Sequence, residues 1–112
     1  MRQQDLVWVN FPYSNLTASK IRPGVIVSSD AYNQESQEVI ICAITSNLQN
    51  AKYSVLINKE NLQEGSMPIR SRVRADKIVR IQKSLVAEKF ARLNNKTFDK
   101  LIAEINSLIK RS

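Results

Sequence analysis

Apolar residues follow one rhythm through most of the chain and another near its C-terminus. "DLVWVNFP" (5–12) is β-branched and aromatic and closes on Pro12, which predicts a first strand. Val25, Ile26 and Val27 form a run bounded by Pro23 and Gly24 on one side and by the polar "SSDAYN" on the other, the pattern of a buried second strand. "DAYN" is expected to make a short helical turn capped by Ser29 or Asp30. "EVIICAIT" (38–45) is the most hydrophobic stretch and belongs at the centre of a sheet. "KYSVLIN" (52–58) alternates as a fourth strand, and "MPIRSRVRAD" followed by "KIVRIQ" supplies a fifth with a short continuation. The polar segments 13–21 and 59–66 predict loops, the second with Gly65 at its turn.

Beyond Asn94 the period changes. Phe98, Leu101, Ile102, Ile105, Leu108 and Ile109 fall at steps of three and four, which marks one face of a helix. Asn94 or Asn95 can cap its start, and Lys110 and Arg111 sit at its end, where cations suit the helix dipole. The expected architecture is mainly β with a C-terminal α-helix: five or six short antiparallel strands in a curled sheet or small barrel, closed by the helix. With no internal repeat and no low-complexity tract, residues 1–112 read as a single domain.

Composition narrows the chemistry. Hydrophobic residues make up 43% of the 112, with two glycines and three prolines, as in a folded globular chain. The one cysteine, Cys42, lies in the apolar run "VIICAI", so an intramolecular disulfide and a thiol-rich zinc cluster are both excluded and a buried, reduced thiol is expected. No apolar run approaches the ~18 residues of a transmembrane helix, and the N-terminus lacks a signal peptide's apolar region, so a cytoplasmic protein is expected, off the membrane.

Charge points toward a polyanion: 17 Lys and Arg against 10 Asp and Glu give a net charge of +7 and a pI near 9.9. The excess is concentrated, with Arg70, Arg72, Arg74, Lys77, Arg80 and Lys83 gathered around a single acid, Asp76. In "RSRVRAD" the residues Arg70, Arg72, Arg74 and Asp76 alternate, so a strand would project all of them from one face. A solvated charged face is one explanation of that row, and a phosphate-binding row is another.

Histidine is absent, which removes the commonest general acid–base, Ser-His and Cys-His nucleophiles, and the usual transition-metal ligand. The acids are scattered without the pairing of a magnesium site or a two-carboxylate glycosidase, and there is no glycine-rich phosphate loop. Enzymatic work would fall to Arg, Lys, Asp, Glu, Ser, Thr and Tyr. An RNA phosphodiester is a substrate for which that set suffices, because the 2′-hydroxyl is its own nucleophile. The protein then has to accept a proton, stabilise charge on the phosphate and assist the leaving 5′-oxygen.

"DLVWVNF", "RPGVIVSSDAYN", "CAITS" and "VRADKIVRI", in this order and at these spacings, resemble the PemK/MazF family of toxins from toxin–antitoxin systems. The resemblance spans nearly the whole chain and implies a small SH3-like, CcdB/PemK-type curled antiparallel barrel of five to seven strands. It implies a homodimeric, metal-independent, sequence-specific endoribonuclease without a cofactor, cutting single-stranded RNA to 2′,3′-cyclic phosphate and 5′-hydroxyl ends and neutralised by an acidic antitoxin. On the same ground Arg22 is expected to contact the scissile phosphate and Thr45 to help hold it. Arg74 and Asp76 match an Arg-x-Asp in which the aspartate is the proposed base and the arginine the proposed acid or charge stabiliser. Supporting RNA contacts are expected from Lys20, Ser46, Arg70, Arg72, Lys77 and Arg80. The chain departs from the family at Gln4, where many members carry glycine, in the stretch "NLTASKI", which here has no histidine, and at Lys77, where glutamine is usual.

Two other readings compete. A toxin of the same architecture could bind a protein target such as DNA gyrase, as CcdB does, without cutting RNA; a catalytically inactive RNA-binding relative is the other. The joint presence of Arg22, Thr45, Arg74 and Asp76 favours the nuclease. Trp8 reads as a core or interface residue.

Overall fold

A computed structural model describes residues 1–12 and 19–112, so most of the polar stretch 13–21 expected as a loop lies outside the described residues. The β-rich segments become β1 (Asp5–Pro12), β2 (Ser19–Ile26), β3 (Glu38–Thr45), β4 (Ser54–Ile57), β5 (Leu62–Gly65), β6 (Ser71–Gln82) and β7 (Val86–Leu93). The helices are α1 (Asp30–Glu35) and α2 (Asn95–Ile109). All the described strands join one antiparallel sheet in the order β4-β6-β3-β2-β1-β7-β5, so β3, the most apolar, lies at the middle. The curled antiparallel sheet with a C-terminal helix agrees with the sequence expectation.

Two strands exceed that expectation. β7 has the sequence VAEKFARL, which lacks a clean alternation, and only its last three residues are buried. Its strand state comes from pairing with β1 and β5 rather than from its own composition. The expected loop 59–66 instead holds a 3₁₀ turn (Lys59–Asn61) and β5, whose LQEG sequence is largely exposed at the sheet edge. Gly65 does mark its end: φ is +82°, and a side chain there would collide with the Phe90 carbonyl and Ala91.

Side chains alternate between the faces of the curled sheet and build two apolar clusters. Leu6, Val25, Cys42, Ile44, Val73 and Leu93 pack with Phe98 and Leu101 of α2, while Val7, Val9, Ile26, Val39, Ile41 and Ile81 form the second cluster. The helix starts where expected, with Asn94 Oδ1 accepting from the Thr97 amide at 2.9 Å, and it lies against β4 and β6. Its stripe fades toward the C-terminus: Leu101 is fully buried, whereas Leu108 and Ile109 are 37% and 69% exposed. At α1 the capping residue is Ser29, whose Oγ accepts from the Tyr32 amide at 3.1 Å.

The departure at Gln4 has a backbone basis. Its φ is 81°, the left-handed region that glycine adopts freely and other residues adopt at a cost of about 1–2 kcal/mol. Hydrogen bonds hold it there: its amide donates to Ile26 O, and its side-chain Nε2 donates to Leu93 O at 2.8 Å and to Asn95 Oδ1 at 3.1 Å. A long polar side chain thus ties the chain's start to β2, β7 and α2 where a glycine could only bend.

Candidate active site

Two irregularities in the sheet open a cavity. β3 pairs with β2 only from Gly24 to Ile26, so Pro23 stands where β2 parts from β3, a place that tolerates a residue without an N–H. Gly24 sits at the divergence, where a Cβ would come within 2.9 Å of Ile41 Cδ1. On the other side of β3 the register with β6 shifts between the pairs Cys42–Ile78 and Ile44–Val73, which leaves Arg74 to Lys77 without partners on β3. Between these defects lies a cavity of about 760 Å³.

Five separated segments meet in its wall. β2 brings Ile21, Arg22 and Pro23; the end of β3 brings Ala43, Ile44, Thr45 and Ser46; the start of β6 and the residues before it bring Met67 to Ile69, Ser71, Arg74 and Lys77. Trp8, Phe11 and Phe90 complete it, with the Trp8 and Phe90 rings stacked at 4.7 Å. One part of the wall is cationic and the rest apolar or aromatic. That combination suits a ligand with both an anionic backbone and flat, apolar faces.

Thr45 and Arg74 are both engaged in hydrogen bonds. Thr45 Oγ1 accepts from the Asn47 amide at 3.1 Å, so its own O–H is free to donate to an anion. Arg74 Nε and Nη2 donate to Asp76 Oδ1 and Oδ2 at 2.9 and 2.7 Å, a two-point bridge across one face of β6. The bridge holds the Asp76 carboxyl below the usual carboxylate range, chiefly through these hydrogen bonds, and raises the Arg74 pKa in turn. Asp76 also adds to the effect of burial on Cys42, whose thiol is pushed up to about 12 and is inert as a nucleophile.

Of the residues named from sequence, the cavity wall brings together Arg22, Thr45, Ser46, Arg74 and Lys77. Arg72 shares the face of Arg74 but turns away: its Nη1 donates to Ser54 Oγ at 3.1 Å and its Nε to Leu48 O at 3.3 Å, beside a second recess that Thr45 and Arg74 also line. Lys20 is exposed on β2, opposite Phe11 in the β1 register. Arg70 precedes β6 instead of opening it, so the row of four expected on one strand face is a row of three: Arg72, Arg74 and Asp76. Arg80 lies beyond the register shift and pairs with Glu38 at 3.3 Å, away from the cavity. Asp76 is not among the lining residues.

The apolar wall was not foreseen. Met67 and Ile69 come from the start of the segment read as the fifth strand and Phe90 from one left unassigned, and Trp8 lines the cavity instead of filling the core. Ile21 and Ile69 offered a signal: each stands beside an arginine in sequence, and they are 57% and 56% exposed.

Comparison with known proteins agrees with this architecture. The family model for PemK-like, MazF-like toxins of type II toxin–antitoxin systems matches residues 2–109. A chain of a MazE–MazF crystal structure from Deinococcus radiodurans superposes with a TM-score of 0.83 at 22% identity, covering 100% of this chain and 98% of that one. An endoribonuclease in complex with its cognate antitoxin, from a mycobacterial species, gives 0.78 at 17% identity, covering 100% and 97%. The Mycobacterium tuberculosis toxin MazF-mt6 gives 0.74 at 15% identity, covering 95% and 98%. No curated protein sequence matches the chain.

Proposed function

Because the chain belongs to the PemK-like, MazF-like toxin family of type II toxin–antitoxin systems, we propose that it is an endoribonuclease that cuts single-stranded RNA in the cavity between β2, β3 and β6. The observation that carries this reading is the convergence of Arg22, Thr45, Arg74 and Lys77, from three separate strands or their ends, on one cavity that Trp8, Phe11 and Phe90 also line. Three cations and a donating hydroxyl suit a phosphate, and Trp8, Phe11 and Phe90 suit unstacked bases, which single strands supply.

The reaction this arrangement supports begins with the 2′-hydroxyl. Its oxygen attacks the adjacent phosphorus as its proton is lost, the P–O5′ bond breaks, and the departing 5′-oxygen gains a proton. The products are a 2′,3′-cyclic phosphate and a 5′-hydroxyl. Arg22 and Arg74 stabilise the charge that builds on the non-bridging oxygens, Thr45 donates to one of them, and Ser46 and Lys77 hold the strand on either side. No metal or cofactor is assigned a part. Lys20 extends the cationic path along β2, and Arg72 reaches the neighbouring recess.

The partners follow from the same surface. An acidic antitoxin segment would bind the cationic wall and exclude RNA; one structural neighbour is an endoribonuclease in complex with its cognate antitoxin. A homodimer would double the cationic surface about its two-fold axis. No helix among the described residues is long and apolar enough to cross a membrane, and a cytoplasmic location fits a toxin that acts on messenger RNA.

The deciding experiment incubates the protein with a long single-stranded RNA in the presence of a chelator and maps the ends. Discrete cuts with 5′-hydroxyl ends, lost in Arg22→Ala, are expected. An uncut RNA with binding intact would sink the nuclease reading and favour a toxin that acts by binding.

A further inference from the structure

β7 meets β1 with two residues left out of the ladder. Leu6 pairs with Ala91 and Val7 with Lys89, which skips Phe90; Trp8 pairs with Glu88 and Val9 with Val86, which skips Ala87. The two skipped residues border different hollows around Trp8. Phe90 stacks on the indole and lines the cavity, whereas Ala87 lines a recess of about 330 Å³ together with Trp8, Ile21 and Glu88. Trp8 and Ile21 line both, so the recess continues the cavity past the indole. Three of its four lining residues are apolar or aromatic, and the fourth is a carboxylate.

Glu88 runs against the charge of its surroundings. Among the described residues that line the cavity, this recess and the one beside Arg72, it is the one acid. No described lysine or arginine forms an ion pair with it, although the adjacent Lys89 lies 3.0 Å from Glu64 and 3.4 Å from Asp5. A carboxylate beside a cationic path repels a passing phosphate, and only a ligand edge that carries donors offsets that cost.

We propose that the recess is a nucleobase subsite for guanine, with the base laid on Trp8 and Ile21 and its N1–H and N2–H groups donating to the two Glu88 oxygens. The inference rests on the endoribonuclease reading. An ionised carboxylate only accepts hydrogen bonds. On the pairing edge that an unstacked base exposes, guanine alone presents two donors side by side. Adenine and cytosine set one amino group beside an acceptor nitrogen, and uracil sets its single N–H between two carbonyls. Each of those turns a lone pair toward the carboxylate. Glu88 thus selects by attracting one base and repelling three.

The test uses the full-length protein and an RNA pool randomised around a site that the wild type cuts, with the cut ends sequenced. Wild type is expected to favour guanine at one fixed position beside the cut. Glu88→Ala is expected to keep cutting but to lose about 10- to 100-fold in selectivity at that position alone. Part of the loss comes from sites with other bases, which the variant cuts faster than the wild type does. Replacing the guanine by inosine, which lacks the N2 amino group, should lower kcat/KM of the wild type by about 10-fold and leave that of Glu88→Ala unchanged.

No guanine at a fixed position in the wild-type cuts, or a guanine preference that survives in Glu88→Ala, would overturn the inference. A folded variant that cuts no site would do the same, because reading one base is not part of the chemistry. A wild type that cuts no RNA would instead overturn the nuclease reading itself. Glu88 is exposed, and a matching thermal melt confirms that the variant folds.

Discussion

The protein uses aspartate against arginine twice, in opposite ways. Asp5 and Arg92 lie in the interior, 4% and 10% exposed, joining β1 to β7. Arg92 Nη1 donates to Asp5 Oδ1 at 3.1 Å and to Gln3 O at 2.8 Å, the Arg2 amide donates to Asp5 Oδ2 at 2.9 Å, and Lys89 approaches at 3.4 Å. Asp76 and Arg74 stand on one strand, of which only Arg74 lines the cavity, and both are in contact with water. The first pair is closed on itself and satisfied by backbone. The second keeps one edge of its arginine free. The same pair of groups is thus an internal clasp in one place and an exposed bridge with one open edge in the other, and the surroundings decide which.

Breaking the clasp should give the largest effect. Arg92→Ala leaves the Asp5 carboxylate buried without its main partner, and urea or thermal unfolding should show a loss of about 3–5 kcal/mol. The RNA cut sites of the protein that remains folded should not change. Arg22→Ala is expected to do the converse, lowering kcat by about 100- to 1,000-fold, as the loss of one oxyanion donor does, while the melt stays within error. If Arg22→Ala destabilised the protein as much as Arg92→Ala, the contrast between the two regions would fail.

Smaller effects sharpen the distinction. Cys42 is at the centre of the core, so its alkylation should be very slow in the native protein near neutral pH and should speed up in Arg92→Ala in proportion to the lost stability, with no change in Arg22→Ala. Least of all is the stability contributed by the exposed bridge. Because the folded pKa of Asp76 is depressed, its contribution is complete above the ordinary carboxylate value and fades as the pH falls through the lowered one. The melts of wild type and Asp76→Asn should therefore differ by no more than a few degrees at neutral pH and converge below about pH 4.

How much of this was legible in the sequence depends on what holds each part in place. β1, β3 and α2 carry their own patterns, and their boundaries read almost directly from alternation, a closing proline and a capping asparagine. β5 and β7 do not, because Glu, Lys, Gln and Ala have little preference for strands and take that form only by pairing, β7 with β1 and β5 with β7. At the cavity, Arg22, Thr45 and Arg74 were legible through resemblance. The Arg74–Asp76 bridge joins alternate residues of one strand and needs only that strand's alternation, whereas the cavity depends on the register shift between β3 and β6, which no local pattern announces. The aromatic wall was illegible for the same reason, since Trp8 and Phe90 meet only once β1 and β7 are side by side.

Trp8 is the only tryptophan in the chain, and it sits in the cavity wall against Phe90. The protein thus carries an optical probe in the wall of the proposed RNA site. A nucleobase laid on the indole or a peptide side chain pressed against it would alter the emission without any label, and each would displace water from the ring in its own way. A titration read at this single fluorophore can follow an RNA and an antitoxin segment in the same cuvette, and show whether one evicts the other.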